Sequence, residues 1–510
     1  MDGRARHLTE PIEAFRDIDS LLTGHARTHG ARGYVECLAP PGGLTFAELD
    51  AATNRVAHFL ADRGLRPNDR VSVLSDNCLE LLVLFLGVQR YGATVNPINV
   101  EVHARNVAQI LHDVEPRLTF WSPALPAELQ ALARAAGETA LPFDELWAQL
   151  AALPATPGSR RVGGPRDIAI LDYTSGTTAT PKGVLISHQA VFYQARSLVE
   201  RLGLTEDDRL LEYRALSWAS PQVLSVGPSL QAGAGLVLAP RFSRRRFFDW
   251  IREYGVTVAA GVPTVFAVLL AEPVAVTAAD LPSLRFMTSS SAPLPVETQL
   301  AFERRYGIPI VQGCGMTEAG FMGGNPPGAR RLSSIGPAMP YIEARFVDES
   351  GAVCPPGREG ELVVTGRQLA AGYLVERGRV MALPGDGLRT GDLGYADAEG
   401  YLYLTGRTKD VIIKGGVNVA PMEITSVLLG HPAVADAATI GVPDPVYGEA
   451  IVSFVVPRPG EVVTTDELRA HCATRLSEFK QPQQIRLVDA LPRTDRGKLA
   501  RERLQALAEG

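Results

Sequence analysis

Short apolar runs recur along this chain, and the residues after them follow helical periodicity, as in Val71-Ser72-Val73-Leu74 ahead of Leu79 to Tyr91. A run of that kind is a strand covered on both faces. Helices between successive strands carry the chain back to the same sheet edge, so the alternation predicts parallel sheets layered with helices. At 510 residues and 46% hydrophobic content the chain can bury large cores, and its length argues for more than one domain. No internal repeat or long low-complexity tract interrupts the pattern. The segment Leu125 to Gly164, rich in Ala and Pro, reads as a surface excursion.

The run that follows this excursion, Ile168-Ala169-Ile170-Leu171, leads into Tyr173-Thr174-Ser175-Gly176-Thr177-Thr178-Ala179-Thr180-Pro181-Lys182-Gly183. A strand feeding a loop of backbone N–H groups, hydroxyls and one cation suits the spread negative charge of a polyphosphate. It is not a Walker loop, because Gly183 rather than Ser or Thr follows the lysine and Pro181 stands where the second glycine belongs. On composition alone, a solvated Ser/Thr/Gly turn is the alternative.

The formal net charge of -6 provides no basic field for nucleic acid, so anionic ligands must be met by local donors. The basic cluster Arg241, Arg244, Arg245 and Arg246 reads as the solvated start of a helix. Cys37, Cys78, Cys314, Cys354 and Cys472 show neither CxxC pairs nor metal-site spacing, which predicts reduced thiols and a cytoplasmic protein. No apolar run follows the charges of Met1 to His7, against a signal peptide. The most apolar stretch, Leu81 to Val88, is bounded by Glu80 and Arg90 and is too short to span a bilayer, so no integral membrane segment is expected.

The loop resembles the phosphate loop of the adenylate-forming superfamily, in its acyl-CoA synthetase or AMP-dependent synthetase and ligase branch, where the pattern reads roughly Y-T-S-G-T-T-G-x-P-K-G. Further resemblances follow in the family's order: Ser291-Ala292-Pro293-Leu294-Pro295, Gln312-Gly313-Cys314-Gly315-Met316-Thr317-Glu318, Thr390-Gly391-Asp392, Gly406-Arg407-Thr408-Lys409-Asp410, and Leu491-Pro492-Arg493-Thr494-Asp495-Arg496-Gly497-Lys498. They cover nearly the whole chain. The resemblance implies an α/β fold: a large N-terminal AMP-binding body of layered sheets and helices, residues 1–408, and a small mobile α+β lid, residues 409–510. The residues agree with that boundary. Gly400 to Gly406 reads as a strand ending in a turn, Val411-Ile412-Ile413 restarts as a strand, and Lys414-Gly415-Gly416 makes a tight loop.

The implied chemistry has two steps, because a carboxylate is a poor electrophile. ATP first converts it to an acyl-adenylate with loss of pyrophosphate, and a thiol then displaces AMP. Phosphoryl transfer of this kind rests on positioning and on neutralising charge. By resemblance, Thr174, Ser175, Gly176, Thr177, Thr178 and Lys182 hold the phosphates, Glu318 with Thr177 holds magnesium, and Thr317 touches the α-phosphate. Ser291, Ala292, Pro293, Gly313, Cys314, Gly315 and Met316 border the nucleotide. Asp392 accepts from both ribose hydroxyls, and Arg407 adds a second ribose contact. Lys498 stabilises the adenylation transition state between the α-phosphate and the acyl carboxylate. Lys409 is the hinge about which the lid turns, exchanging Lys498 for the Lys414-Gly415-Gly416 loop that lines the pantetheine channel of coenzyme A.

The acyl pocket is implied to come from Tyr213 to Gln222. With Ser217 and Trp218 at its middle and no acid nearby, an α-amino acid is disfavoured, since an unpaired buried ammonium costs several kcal/mol. A fatty, aryl or terpenoid-like acid fits better, with Trp218, Met287 and Phe321 either walling the pocket or serving as ordinary core. Two residues depart from the family pattern: Ala179 replaces a glycine and Cys314 an adenine-stacking ring. Three readings follow. The leading one is an ATP- and magnesium-dependent acyl-CoA synthetase acting on a small-molecule carboxylic acid and coenzyme A. The others are a thioester-forming enzyme that takes a preformed acyl-adenylate, and an adenylation protein that loads a carrier protein. Oligomeric state, including a homo-oligomer, is left open.

Overall fold

The structure, a computed structural model, describes residues 15–158, 163–174, 182–375, 378–415, 417–493 and 499–509. Two eight-stranded sheets form the body. In the first, Ile310–Met316, Phe286–Ser289, Val258–Ala259, Arg209–Glu212, Gly235–Leu238 and Gly33–Leu38 run parallel, with Gly320–Gly324 and Pro41–Thr45 antiparallel at the two edges. In the second, Ile168–Thr174, Thr94–Ile98, Arg70–Leu74, Leu118–Trp121 and Thr139–Pro142 are parallel, and Lys182–Ser187, Gly372–Val375 and Arg379–Ala382 continue the sheet antiparallel.

Helices fill the space between the sheets. The helix Leu79–Tyr91 buries every residue from Leu81 to Tyr91, as expected of a helix that is apolar on all sides. Its one buried cation, Arg90, is met by Asp19 and Asp50, each at 2.8 Å. The core continues through Val71, Val95, Ile170, Leu210 and Leu236, drawn from both sheets.

Leu125 to Gly164 is not the surface excursion its composition suggested. It carries the helices Ala127–Arg134 and Phe143–Ala151, with the edge strand Thr139–Pro142 between them. Leu129, Ala133, Leu146 and Leu150 are buried at helical spacing. A four-residue strand ending in proline is tolerated because it lies at the sheet edge, where one side needs no ladder partner.

A five-stranded antiparallel sheet, Gly336–Pro337, Tyr401–Arg407, Leu388–Ala396, Gly360–Gly366 and Ile342–Val347, completes the body. The small C-terminal domain is built on the long hairpin Val434–Asp444 and Gly448–Pro457. Ile412–Lys414 and Val417–Val419 extend it on one side, and Gln484–Leu487 pairs parallel to Gly448–Pro457. The helices Pro421–Leu429 and Thr465–Ala473 cover it, and Ile412, Ile424, Leu428, Ile451, Val455 and Leu468 form its own core. Among the described residues no helix is long and apolar enough to cross a membrane.

Candidate active site

The loop singled out by sequence connects two antiparallel strands, with Thr174 paired to Lys182 at its base. Ser175, Gly176, Thr177, Thr178 and Ala179 lie outside the described residues, as do Gly416 and Lys498. Lys182 is exposed where the second strand begins. Two residues before Thr174, the buried Asp172 accepts from Gln222 Nε2 at 3.1 Å, and the same amide nitrogen donates to the Leu216 carbonyl at 2.9 Å. One glutamine thereby ties the phosphate-loop strand to the segment expected to shape the acyl pocket.

A second hairpin presents Thr317 and Glu318. Gly313, Cys314, Gly315 and Met316 end the strand Ile310–Met316, and Gly320–Gly324 returns beside it. A Cβ on Gly315 would lie 2.4 Å from the Gly320 carbonyl oxygen, so only glycine allows so close a return. The half-buried turn is anchored by Ala370, whose N–H donates to the Glu318 carbonyl at 2.7 Å, while Ala371 N–H reaches the Leu185 carbonyl at 2.7 Å. Tyr373 Oη donates to Glu318 Oε1 at 3.1 Å. A single carboxylate with one oxygen left over suits a hard cation such as magnesium, which takes one or two protein carboxylates and completes its shell with water and substrate phosphate. Ser291, Ala292 and Pro293 are exposed just beyond the strand Phe286–Ser289, and Ser291 holds φ 72°, a region a non-glycine residue seldom occupies.

Asp392 and Arg407 are direct cross-strand partners, joined by Arg407 Nε to Asp392 Oδ1 at 2.8 Å. Asp392 is buried and Arg407 half exposed. Burial pushes the Asp392 carboxyl above the usual carboxylate range, and the Arg407 guanidinium offsets this only in part. Lys409 follows in the tight turn Thr408–Asp410, where desolvation lowers its ammonium pKa. Asp410 pairs with Arg501 at 3.0 Å, at the start of the helix Arg501–Glu509.

The acyl segment is pinned by residues that carry no motif. Asn77 Nδ2 donates to the carbonyls of Arg214 (2.9 Å) and Ala239 (3.0 Å), and its Oδ1 accepts from Leu216 N–H at 2.8 Å. Glu212, fully buried, accepts from Tyr213 N–H, Arg214 N–H and Arg214 Nε through Oε1, and from Arg214 Nη2 and Ser225 Oγ through Oε2. An acid does therefore stand next to the segment, but its oxygens are already engaged by five donors and its charge is neutralised by Arg214. Ser217 is buried and Trp218 half buried ahead of the short helical turn Ala219–Pro221. Met287 has no exposed surface and packs in the cluster containing Phe302 and Tyr306, which is the core role left open for it by the sequence. Phe321 is buried with its ring against Gly313.

On the C-terminal domain Lys414 Nζ donates to the Phe479 carbonyl at 2.9 Å, and Gly415 N–H donates to the Tyr447 carbonyl at 2.7 Å. Desolvation lowers the Lys414 pKa. Asn77 and Tyr373 escaped the sequence reading, and Gln222 was placed only as the last residue of the acyl segment, not as its tie to Asp172. The available signal for Asn77 was its place just beyond the carboxyl end of a parallel strand, where α/β sheets put their ligands.

The family model for AMP-binding enzymes matches residues 24–374, and the model for the AMP-binding enzyme C-terminal domain matches residues 423–498. A sulfoacetate–CoA ligase of Cupriavidus necator is 36% identical over 97% of this chain and 98% of its own length. An indoleacetate–CoA ligase of Aromatoleum aromaticum is 33% identical over 92% of this chain and 94% of its own. The crystal structure of ATP-bound MatB from Rhodopseudomonas palustris superposes with a TM-score of 0.87 at 30% identity, covering 97% of this chain and 99% of that one.

Proposed function

Because this chain belongs to the AMP-binding enzyme family, we propose that the residues gathered above divide between them the two steps of an acid–CoA ligation. The protein is an AMP-forming carboxylic acid–CoA ligase. A carboxylate attacks the α-phosphate of ATP and expels pyrophosphate, and the thiol of coenzyme A then displaces AMP to leave the thioester.

The observation that carries the assignment of roles is the meeting of two distant segments. The strand leaving the phosphate loop and the turn bearing Glu318 are held together by the consecutive N–H groups of Ala370 and Ala371. Thr174, Ser175, Gly176, Thr177, Thr178 and Lys182 hold the β- and γ-phosphates. Thr317 contacts the α-phosphate, and Glu318 with Thr177 holds magnesium, which when bound neutralises charge on the phosphate oxygens. Asp392 uses the carboxylate capacity left by Arg407 to accept from the ribose hydroxyls. Lys498 supplies positive charge between two anions that otherwise repel one another.

The domain boundary lies between residues 408 and 409. Rotation about Lys409 removes Lys498 and brings Lys414, Gly415 and Gly416 to the acyl group. Ser217, Trp218 and Phe321 wall the acyl pocket. The engaged carboxylate of Glu212 supports an acid without an α-ammonium group, of fatty, aryl or terpenoid-like character. No two of the five cysteines are joined by a disulfide, in keeping with a cytoplasmic enzyme. The test is a panel of carboxylic acids with magnesium and ATP, and with coenzyme A or a carrier protein as acceptor, reading AMP, pyrophosphate and thioester separately. Acyl-CoA formation from at least one acid is expected. Acylation of the carrier alone would overturn coenzyme A as acceptor.

A further inference from the structure

Tyr373 belongs to no motif used above, yet it touches the one carboxylate assigned to the metal. It lies on the strand Gly372–Val375, opposite Val184, and Val184 in turn lies opposite Asp172. Residues directly opposite in antiparallel pairs share a face, so Asp172, Val184 and Tyr373 form one row across three strands at the base of the phosphate loop. At one end of the row Asp172 receives Gln222 from the acyl segment, and at the other Tyr373 Oη donates to Glu318 Oε1 at 3.1 Å. The Glu318 turn itself comes from the edge of the other large sheet.

We propose that Tyr373 is a positioning residue for the metal carboxylate, an inference that rests on the assignment of Glu318 as magnesium ligand. A half-buried carboxylate on a turn can rotate about three bonds, and magnesium demands near-octahedral geometry at short distance. A hydroxyl donating to Oε1 fixes the rotamer and leaves Oε2 for the ion. Because Tyr373 is in register with the strand that leaves the phosphate loop, it sets the metal carboxylate and the triphosphate grip on a common frame. Loss of such a partner behind a metal ligand typically costs 10–100-fold in metal affinity.

The test compares wild type, Tyr373→Phe, Glu318→Gln and the double variant. It measures ATP affinity by calorimetry over a magnesium series, thermal stability without ligand, and thioester formation from a supplied acyl-adenylate. Tyr373→Phe should raise half-saturating magnesium at least about tenfold, regain ATP affinity at high magnesium, and leave the acyl-adenylate reaction unchanged. In the Glu318→Gln background it should add nothing, because the hydroxyl acts through that carboxylate. If Glu318→Gln abolishes the magnesium dependence while Tyr373→Phe keeps the wild-type midpoint, the positioning role is wrong and the ligand assignment stands. If Glu318→Gln itself keeps the wild-type dependence, the ligand assignment fails, and the inference with it. A lower melting temperature in Tyr373→Phe with an unmoved magnesium midpoint would reduce the tyrosine to packing and overturn the proposal.

Discussion

Asp392 is buried beside Arg407, yet its proposed task is to stay ionised where two ribose hydroxyls need acceptors. Its folded-state pKa lies above its unfolded one. Folding therefore disfavours the ionised form: the cost is absent below the unfolded pKa, and grows as pH rises through that value toward the folded one. Asp392→Asn removes the buried charge and leaves Arg407, half exposed, to be solvated. Its melting temperature near neutral pH is expected to equal or exceed that of wild type, while AMP affinity falls about tenfold, or about 1.4 kcal/mol. Acidification should weaken AMP binding by the wild type at a higher pH than an ordinary aspartate would, and the asparagine variant should lose that dependence. Calorimetry across pH, paired with thermal melts, checks both halves. The motif Thr390-Gly391-Asp392 made this residue legible in the sequence, and Arg407 came from a separate motif. Their cross-strand pairing was not legible, because register depends on the turn that joins two strands.

At the scale of elements, the acyl segment depends on Asn77, which stands between the strand Arg70–Leu74 and the helix Leu79–Tyr91 and bonds three backbone groups of other strands and loops. Asn77→Ala leaves two buried carbonyls and one buried N–H without that partner. At 1–3 kcal/mol for each buried group left unsatisfied, partial relaxation still leaves a loss on the order of 3 kcal/mol, measurable by denaturant unfolding. The variant should also raise KM for the acid more than KM for ATP, since Leu216 and Arg214 belong to the acyl segment. Equal changes in both would detach Asn77 from acyl binding. The helix Leu79–Tyr91 could be read from the sequence to the residue, because an unbroken apolar run between strand signals leaves little choice. Asn77 could not, since its partners lie far away in sequence and nothing in a lone amide announces them, and Gln222 was legible only as the end of the acyl segment, not as a bond to Asp172. The strand Thr139–Pro142 was missed because Thr139-Ala140-Leu141-Pro142 lacks the β-branched apolar run that marks Val71 to Leu74, and the alanine and proline around it mimic a loop.

For the whole molecule, the body and the C-terminal domain have separate cores, joined through the turn that holds Lys409. A domain with its own core can turn as a unit, and a hinge needs only a few residues that absorb the backbone change. Lys409→Pro fixes φ near -65° at that turn. Adenylation, read as pyrophosphate release, should persist within a few-fold, while thioester formation falls at least about tenfold as the lid stays in one orientation. Unchanged thioester formation would remove Lys409 from the hinge. In the sequence a strand that stops and another that restarts marked the expected boundary, whereas the orientation of the C-terminal domain has no local signature.

If one pocket runs two chemistries with Lys498 present for only the first, then Lys498→Ala, measured in the two half-reactions separately, must affect them unequally. Pyrophosphate release from acid and ATP should fall by about 10²–10³-fold, the cost of removing one preorganised charge from a phosphoryl transition state. Thioester formation from a supplied acyl-adenylate and coenzyme A should stay within a few-fold of wild type. Equal losses in the two half-reactions would mean that Lys498 does not leave the pocket between them.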